Sequence, residues 1–277
     1  MAADSRPSRT PRTSVWLEDG TTGAKRRSGE RRAAARRQGG SAKQGQQPAL
    51  DLGSITAAAV RLLDAEGLAK FSMRRLASEL GVTAMSVYWY VDSKDALLEL
   101  ALDAVQGEVP LPDPADESAN WRDQLRQLAY GYRALFVEHP WLCQMFGNHL
   151  NVGPQATAFA EASTSVMRRT GLPARLLSGA LYGLFYFVFG FATVESNWDA
   201  RCREAGLTTD EYYAIVRSRL ADRPEFEGSL DLRAEAGESG SVAEARDWDF
   251  AVALDCILAG IEAQCALLPS TTDGPTA

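Results

Sequence analysis

The chain has 277 residues, of which 45% are hydrophobic and 23% charged, enough to build one or two domains with a sizeable core. Its net charge of -7 hides an asymmetry: residues 1–48 carry eleven Lys and Arg against four Asp and Glu, and the remainder carries 18 against 32. No secretory apolar segment lies near the N-terminus, and the spacing of Cys143, Cys202, Cys256 and Cys265 fits neither a zinc site nor a disulfide framework, so an intracellular protein with reduced, mostly buried thiols is expected.

In chain order, residues 1–48 are rich in Arg, Ser, Pro, Gly and Gln, with almost no apolar periodicity. Such a composition buries too little surface to offset ordering, so the segment is expected to be disordered. Within it, Lys25–Arg37 (KRRSGERRAAARR) can make sequence-independent phosphate contacts; the alternative is a solvated tail without a partner. Asp51 caps a first helix that carries Ile55, Ala59, Leu62 and Leu63 on one face and ends at Gly67.

The next stretch, SMRRLASELGVTAMSVYWYVDSK over 72–94, predicts two short helices joined by a tight turn. Ser72 caps the first, Leu76, Ala77 and Leu80 share its inner face, and Gly81 supplies the positive φ on leaving it. Val82 fills the corner, and Thr83 caps a second helix over Ala84–Tyr90 with Val87 and Val91 turned inward. Two short helices joined through a glycine turn form a helix-turn-helix. No charge occurs from Gly81 to Val91. An ordinary surface helix would carry Glu and Lys outside. Thr83, Ser86, Trp89 and Tyr90 instead suit the base edges and thymine methyls of the major groove.

Asp92 or Ser93 caps the following helix, VDSKDALLELALDAV. Lys94 in its first turn opposes the helix dipole unless an anion binds there, and a DNA phosphate would meet both the lysine and the free amides. The Pro- and Asp-rich break at 109–117 marks a domain boundary. Beyond it, helices are expected over Trp121–Phe136, stopped by His139-Pro140, over Phe159–Thr170, through the uncharged run Ser178–Val194, over Thr209–Leu220 and over Trp248–Leu268. The run Ser178–Val194 is seventeen residues long, short of the roughly 20 of a membrane span, and is read as a central core helix. Its Tyr182, Phe185, Tyr186 and Phe189 lie in rows that can line a cavity or simply fill the core.

The residues SMRRLASELGVTAMSVYWYVDSKDALLELAL resemble the DNA-binding domain of the tetracycline-repressor family. The likeness runs from Leu50 to about Leu102; WRDQLRQLA, HPWL and FAVALDCILAGIEA are similar, less specifically, to the C-terminal domain of the same family. The resemblance implies an all-α fold. A three-helix DNA-binding domain with a helix-turn-helix (49–108) would be followed by a regulatory and dimerisation domain (118–268) and a disordered tail (269–277). It also implies a homodimer, a double-stranded DNA operator, and release by a small-molecule effector, in the cytoplasm and away from membranes. The DNA-binding residues would be Ser72, Arg74, Thr83, Ala84, Met85, Ser86, Tyr88, Trp89, Tyr90 and Lys94, with Arg74 a candidate guanine reader. Ala84 and Met85 stand where the family pattern has glutamine and proline, and Tyr90 where it has histidine, so the operator should differ from the tetracycline operator. Phe136, Phe146, His149, Tyr182, Phe185, Tyr186 and Phe189 would line the effector pocket. With only two histidines and no His-Glu-x-x-His, phosphate loop or nucleophile elbow, neither catalysis, nor a cofactor, nor a metal is expected.

Overall fold

The structure is a computed structural model, and it describes residues 14–17, 50–113, 116, 118–220, 223, 225 and 240–267. Apart from Ser14–Leu17, the N-terminal extension lies outside the described residues, as does the tail 269–277, so their expected disorder does too. The described residues form ten α-helices and no strand: α1 (Leu52–Glu66), α2 (Met73–Glu79), α3 (Ala84–Tyr88), α4 (Lys94–Gln106), α5 (Trp121–Glu138), α6 (Leu142–Met145), α7 (Pro154–Arg168), α8 (Ala174–Glu204), α9 (Thr209–Leu220) and α10 (Val242–Ala266). The fold class is therefore all-α.

The chain divides into two compact units. One holds residues 1–108 with 144–158, and the other holds 109–143 with 159–277. The first unit starts at a complete capping box. The Asp51 carboxylate accepts from the Ser54 amide at 2.7 Å, and the Ser54 hydroxyl accepts from the Asp51 amide at 3.0 Å. The inner faces of α1–α4 then converge on Ile55, Ala59, Leu63, Leu76, Val87, Leu97 and Ala101, all fully or almost fully buried. A carboxylate ties segment 144–158 to α4. Asp103 of α4 accepts from the amides of Gln155 and Ala156, both at 3.0 Å, and so satisfies two of the free donors that open α7. Gly153 permits the approach, because a Cβ there would collide with that carboxylate.

Within the second unit α5 packs along α8, and α9 and α10 pack against α8. Its core is aromatic. Tyr132 meets Phe136, Phe159 and Phe185 at centroid distances of 4.9, 5.0 and 5.4 Å, and Phe136 meets Phe189 at 5.3 Å. Several bounds differ from the sequence expectation. Helix α3 ends two residues early, at Tyr88. Helix α7 begins five residues early, at Pro154. Helix α10 begins at Val242 because Ser241 and Glu244 form a second capping box. The run Ser178–Val194 extends into a 31-residue helix. By length and composition α8 could cross a membrane, yet only 17% of its most apolar window is buried, so it is not the enclosed core helix expected from sequence.

Candidate nucleic-acid interface and regulatory cavity

Helices α2 and α3 are held by the cap-turn-cap sequence read from the chain. Ser72 accepts from the Arg75 amide, Gly81 turns the chain at φ 66°, and Thr83 accepts from the Ser86 amide at 3.3 Å. The Ser86 and Thr83 hydroxyls also bond each other at 2.9 Å. Arg75, beside Arg74, is tied inward by Glu66 at 2.7 Å and Glu79 at 3.4 Å; Glu66 is the main cause of the upward shift of its pKa. Arg74 is exposed. With Val87 fully buried on the inner side, α3 and its cap present Thr83, Met85, Tyr88 and Trp89 to solvent. Met85 and Trp89 are 67% and 62% exposed, a large apolar surface for so short a helix to present to solvent.

Tyr90 is placed differently from the expected DNA contact, and Lys94 has a partner within the unit. The Tyr90 hydroxyl donates to the Leu50 carbonyl at 2.8 Å, closing the chain entry to α1 rather than facing a groove. The Lys94 ammonium donates to the Phe71 carbonyl at 2.8 Å and lies 5.4 Å from the centre of the Phe71 ring. This bond satisfies a loop carbonyl and leaves the ammonium with two further protons. Ser72 and Ser86 are occupied as a cap and a cap partner, and Ala84 is half-buried.

Sequence reasoning missed an anchor in this unit. Glu99 on α4 is buried and accepts from the Ser14 hydroxyl at 2.6 Å and the Val15 amide at 2.9 Å. Ser14 is 1% exposed, so this part of the extension is docked, contrary to the disorder expected for all of 1–48. A lone buried-phase glutamate in LLELAL was the available signal, and its partner 85 positions away could not be read locally.

The proposed pocket residues fall in three settings among the described residues. Phe136, Phe185 and Phe189 belong to the packed cluster around Tyr132, whose burial pushes its hydroxyl pKa far up. Tyr182 and Tyr186 stack on each other at 5.4 Å and are 59% and 66% exposed. Phe146 and His149 lie in the other unit, joined by an isolated bridge, and His149 Nδ1 is buried with no hydrogen-bond partner among the described residues.

The second unit instead has a cavity of about 620 Å³ among α8, α9 and α10, which shares only Tyr186 with the expected set. Its aromatic wall includes Phe187, Phe191, Trp198, Tyr212 and Tyr213. Behind that wall the Arg133 guanidinium is clamped by both oxygens of Glu195 at 2.8 Å and by Asp247 at 2.7 Å. It also lies over the rings of Phe250 and Phe191, at 4.7 and 5.4 Å. Burial opposes the charge on Arg133, but the two carboxylates outweigh it and its pKa is raised. The sequence hint was an arginine inside the apolar stripe of α5 and a glutamate closing the apolar run of α8.

Comparison with known proteins identifies this arrangement. Residues 55–101 match the family described as bacterial regulatory proteins, tetR family, and residues 113–265 match the tetracyclin repressor-like C-terminal domain. An HTH-type transcriptional regulator of Saccharopolyspora erythraea is 34% identical over 184 residues, covering 66% of this chain and 76% of that protein. The HTH-type transcriptional repressor DrrR1 of Streptomyces coeruleorubidus is 38% identical over 170 residues, covering 61% of this chain and 62% of that one. The crystal structure of the TetR family protein ActR of Streptomyces coelicolor in complex with actinorhodin superposes with a TM-score of 0.63 at 29% identity, over 79% of this chain and 99% of that chain. These relatives are regulators rather than enzymes, and the chain belongs to the tetracycline-repressor family of DNA-binding transcriptional regulators.

Proposed function

We propose that the protein is a homodimeric repressor, released from a palindromic operator by a small molecule that enters its regulatory unit. The observation that carries this reading is the outer face of α3, where Met85, Tyr88 and Trp89 stand exposed on a helix without charge. Thr83, Met85, Tyr88 and Trp89 are the base-reading candidates, with Arg74 beside them. Thr83 and the thymine-contacting apolar groups would read methyls, and Arg74 would read guanine. Lys94 and the amides opening α4 would position a phosphate.

Two exposed, nearly uncharged stripes support the homodimer. One runs along α8 through Tyr182, Gly183, Tyr186, Gly190 and Val194, and the other along α10 through Trp248, Val252, Cys256, Ala259 and Ala263. Paired with the same stripes on a second copy, they would form an isologous four-helix contact that gives α8 the burial a single chain denies it. A two-fold dimer would set its two α3 helices about one DNA turn apart, roughly 34–36 Å. An effector that binds the two spacings with different affinity then shifts the population off the operator. A protein that works on DNA in this way is expected in the cytoplasm. A second reading, a ligand-independent architectural DNA-binding protein, draws on the eleven Lys and Arg of residues 1–48.

Mobility-shift binding to the intergenic DNA beside its own gene separates the two. The full chain and a chain starting at Gln47 are compared at about 150 mM salt, near physiological ionic strength, with excess competitor DNA. Saturable binding of both to one palindromic fragment is the expected result. Binding that requires the extension and ignores sequence would replace the repressor reading with the architectural one.

A further inference from the structure

We propose that the cavity among α8, α9 and α10 is the effector site and that it takes a planar aromatic cation. This rests on the reading of the protein as an effector-released repressor, and it names the chemistry of the molecule that releases it.

The volume sets the size class. About 620 Å³ falls in the range of roughly 300–1,000 Å³ typical of small-molecule sites. The walls set the shape. Three helices contribute to the lining, with Phe187, Phe191 and Trp198 from α8, Tyr212 and Tyr213 from α9, and Arg246 and Asp249 from α10. Phe187 and Phe191 are braced from behind. Phe187 stacks on the fully buried Phe250 at 5.5 Å, and Phe191 meets the same ring edge-on at 5.2 Å. Trp198 and Tyr212 fix each other in an edge-to-face pair at 5.6 Å. Flat faces already held at their backs favour a flat, rigid ligand, because little side-chain freedom remains to be lost on binding.

Charge sets the sign. Glu195 and Asp249 line the cavity together with Arg246. Arg246 is committed to Asp199 at 2.7 Å, and Arg133 is shared between Glu195 and Asp247. Of the three charged groups that line the cavity, Glu195 and Arg246 are thus each held in an ion pair, and the exposed Asp249 has no ion-pair partner among the described residues. An anionic ligand would meet this unpaired carboxylate, whereas a cation would be drawn both by it and by the negative faces of the rings. Hydroxyls of Thr209, Tyr212 and Tyr213 add few polar contacts to an otherwise apolar lining. Tyr186, Gly190 and Val194 border both the cavity and the stripe assigned to the second copy, so a ligand here reaches the edge of the dimer contact. That contact is what fixes the spacing of two reading helices.

Calorimetric titration of the full-length protein with berberine, a planar aromatic cation, and with anthraquinone-2-sulfonate, a planar anion of similar size, tests the assignment. Berberine should saturate a single site per protomer, with the anion at least roughly tenfold weaker. Asp249→Asn and Trp198→Ala, each checked for parental helicity by circular dichroism, should weaken berberine by a similar factor. Equal binding of the two probes, failure of berberine to bind, or parental affinity in both variants overturns the proposal. The operator assay then tests the effector role separately. Berberine should release operator from the parent, and from Asp249→Asn only at a concentration roughly tenfold higher, in step with its weaker binding. Saturable cation-selective binding without release would keep the ligand class and overturn the effector role, and release from Asp249→Asn at the parental concentration would overturn it as well, as an effect on DNA.

Discussion

At Asp103 a carboxylate only 5% exposed opens a helix by accepting two amides. Burial raises its pKa, and the bonds from Ala156 and Gln155 pull the other way without cancelling that effect. The folded protein therefore holds this proton more tightly than the unfolded chain does. The contribution of the group to stability is complete below the ordinary Asp value near 4 and is lost as pH rises through the higher folded value. Asp103→Asn keeps a carbonyl oxygen for the same amides and removes the ionisation. Chemical unfolding of the parent and variant from about pH 4 to 7 should show the difference moving in favour of Asn as pH rises. The change should be about 1.4 kcal/mol for every tenfold by which folding tightens the hold on the proton. Parallel curves would mean that the carboxylate titrates as it does in the unfolded chain. Arg133 shows the opposite balance: its charge survives burial because two carboxylates and two rings surround it, and such a group is strongly destabilising only when one partner is removed.

Helix α3 is five residues long, too short to be stable alone, so its existence depends on Val87 in the core and on its cap at Thr83. Those features were local in the sequence: a hydroxyl three residues before its amide partner, a glycine at the turn, and an apolar residue at the right phase. Tyr90 and Lys94 were not legible in the same way. Each has a partner far along the chain, Leu50 for the first and Phe71 for the second, and helical phase alone said only that they could point outward. This separation of scaffold from reading face predicts a clean mutant. Tyr88 is 41% exposed and contributes little to the core, so Tyr88→Glu should leave the thermal midpoint within a few degrees of the parent. In the operator complex the same carboxylate would face the phosphates and base edges. Operator affinity should fall by at least roughly a hundredfold, the effect of about 3 kcal/mol of unpaired charge. Retained binding with an intact fold would remove α3 as the reading helix.

Across the whole molecule, the helix that was easiest to find in the sequence was the hardest to place. The uncharged run Ser178–Val194 announced a helix and, falling short of a membrane span, was read as core; its composition did not show that only one side of it would be enclosed by its own chain. In the single chain its Val188 and Ala192 are fully buried while Tyr182, Tyr186 and Val194 are mostly exposed, so it is half core and half unpartnered. Helix α10 repeats the pattern, with Phe250, Leu254 and Leu258 inside and Trp248 and Val252 outside. The cavity was illegible for a related reason. It needs Trp198, Tyr212 and Asp249 from three helices, and residues 221–239, which separate the last two, carry no periodic signal. A substitution on the α10 stripe tests the second-chain assignment. Val252 is 45% exposed, so Val252→Glu should cost the isolated subunit little. An isologous interface meets every substitution twice, and two unpaired carboxylates buried across one axis would each cost a few kcal/mol. Sedimentation equilibrium should therefore find a folded monomer at concentrations where the parent is dimeric. Operator binding should fall with it, since a single reading helix engages one half-site. A variant that stays dimeric with the parental dissociation constant would place the dimer contact on another face, and the exposed stripe of α8 would again need an explanation.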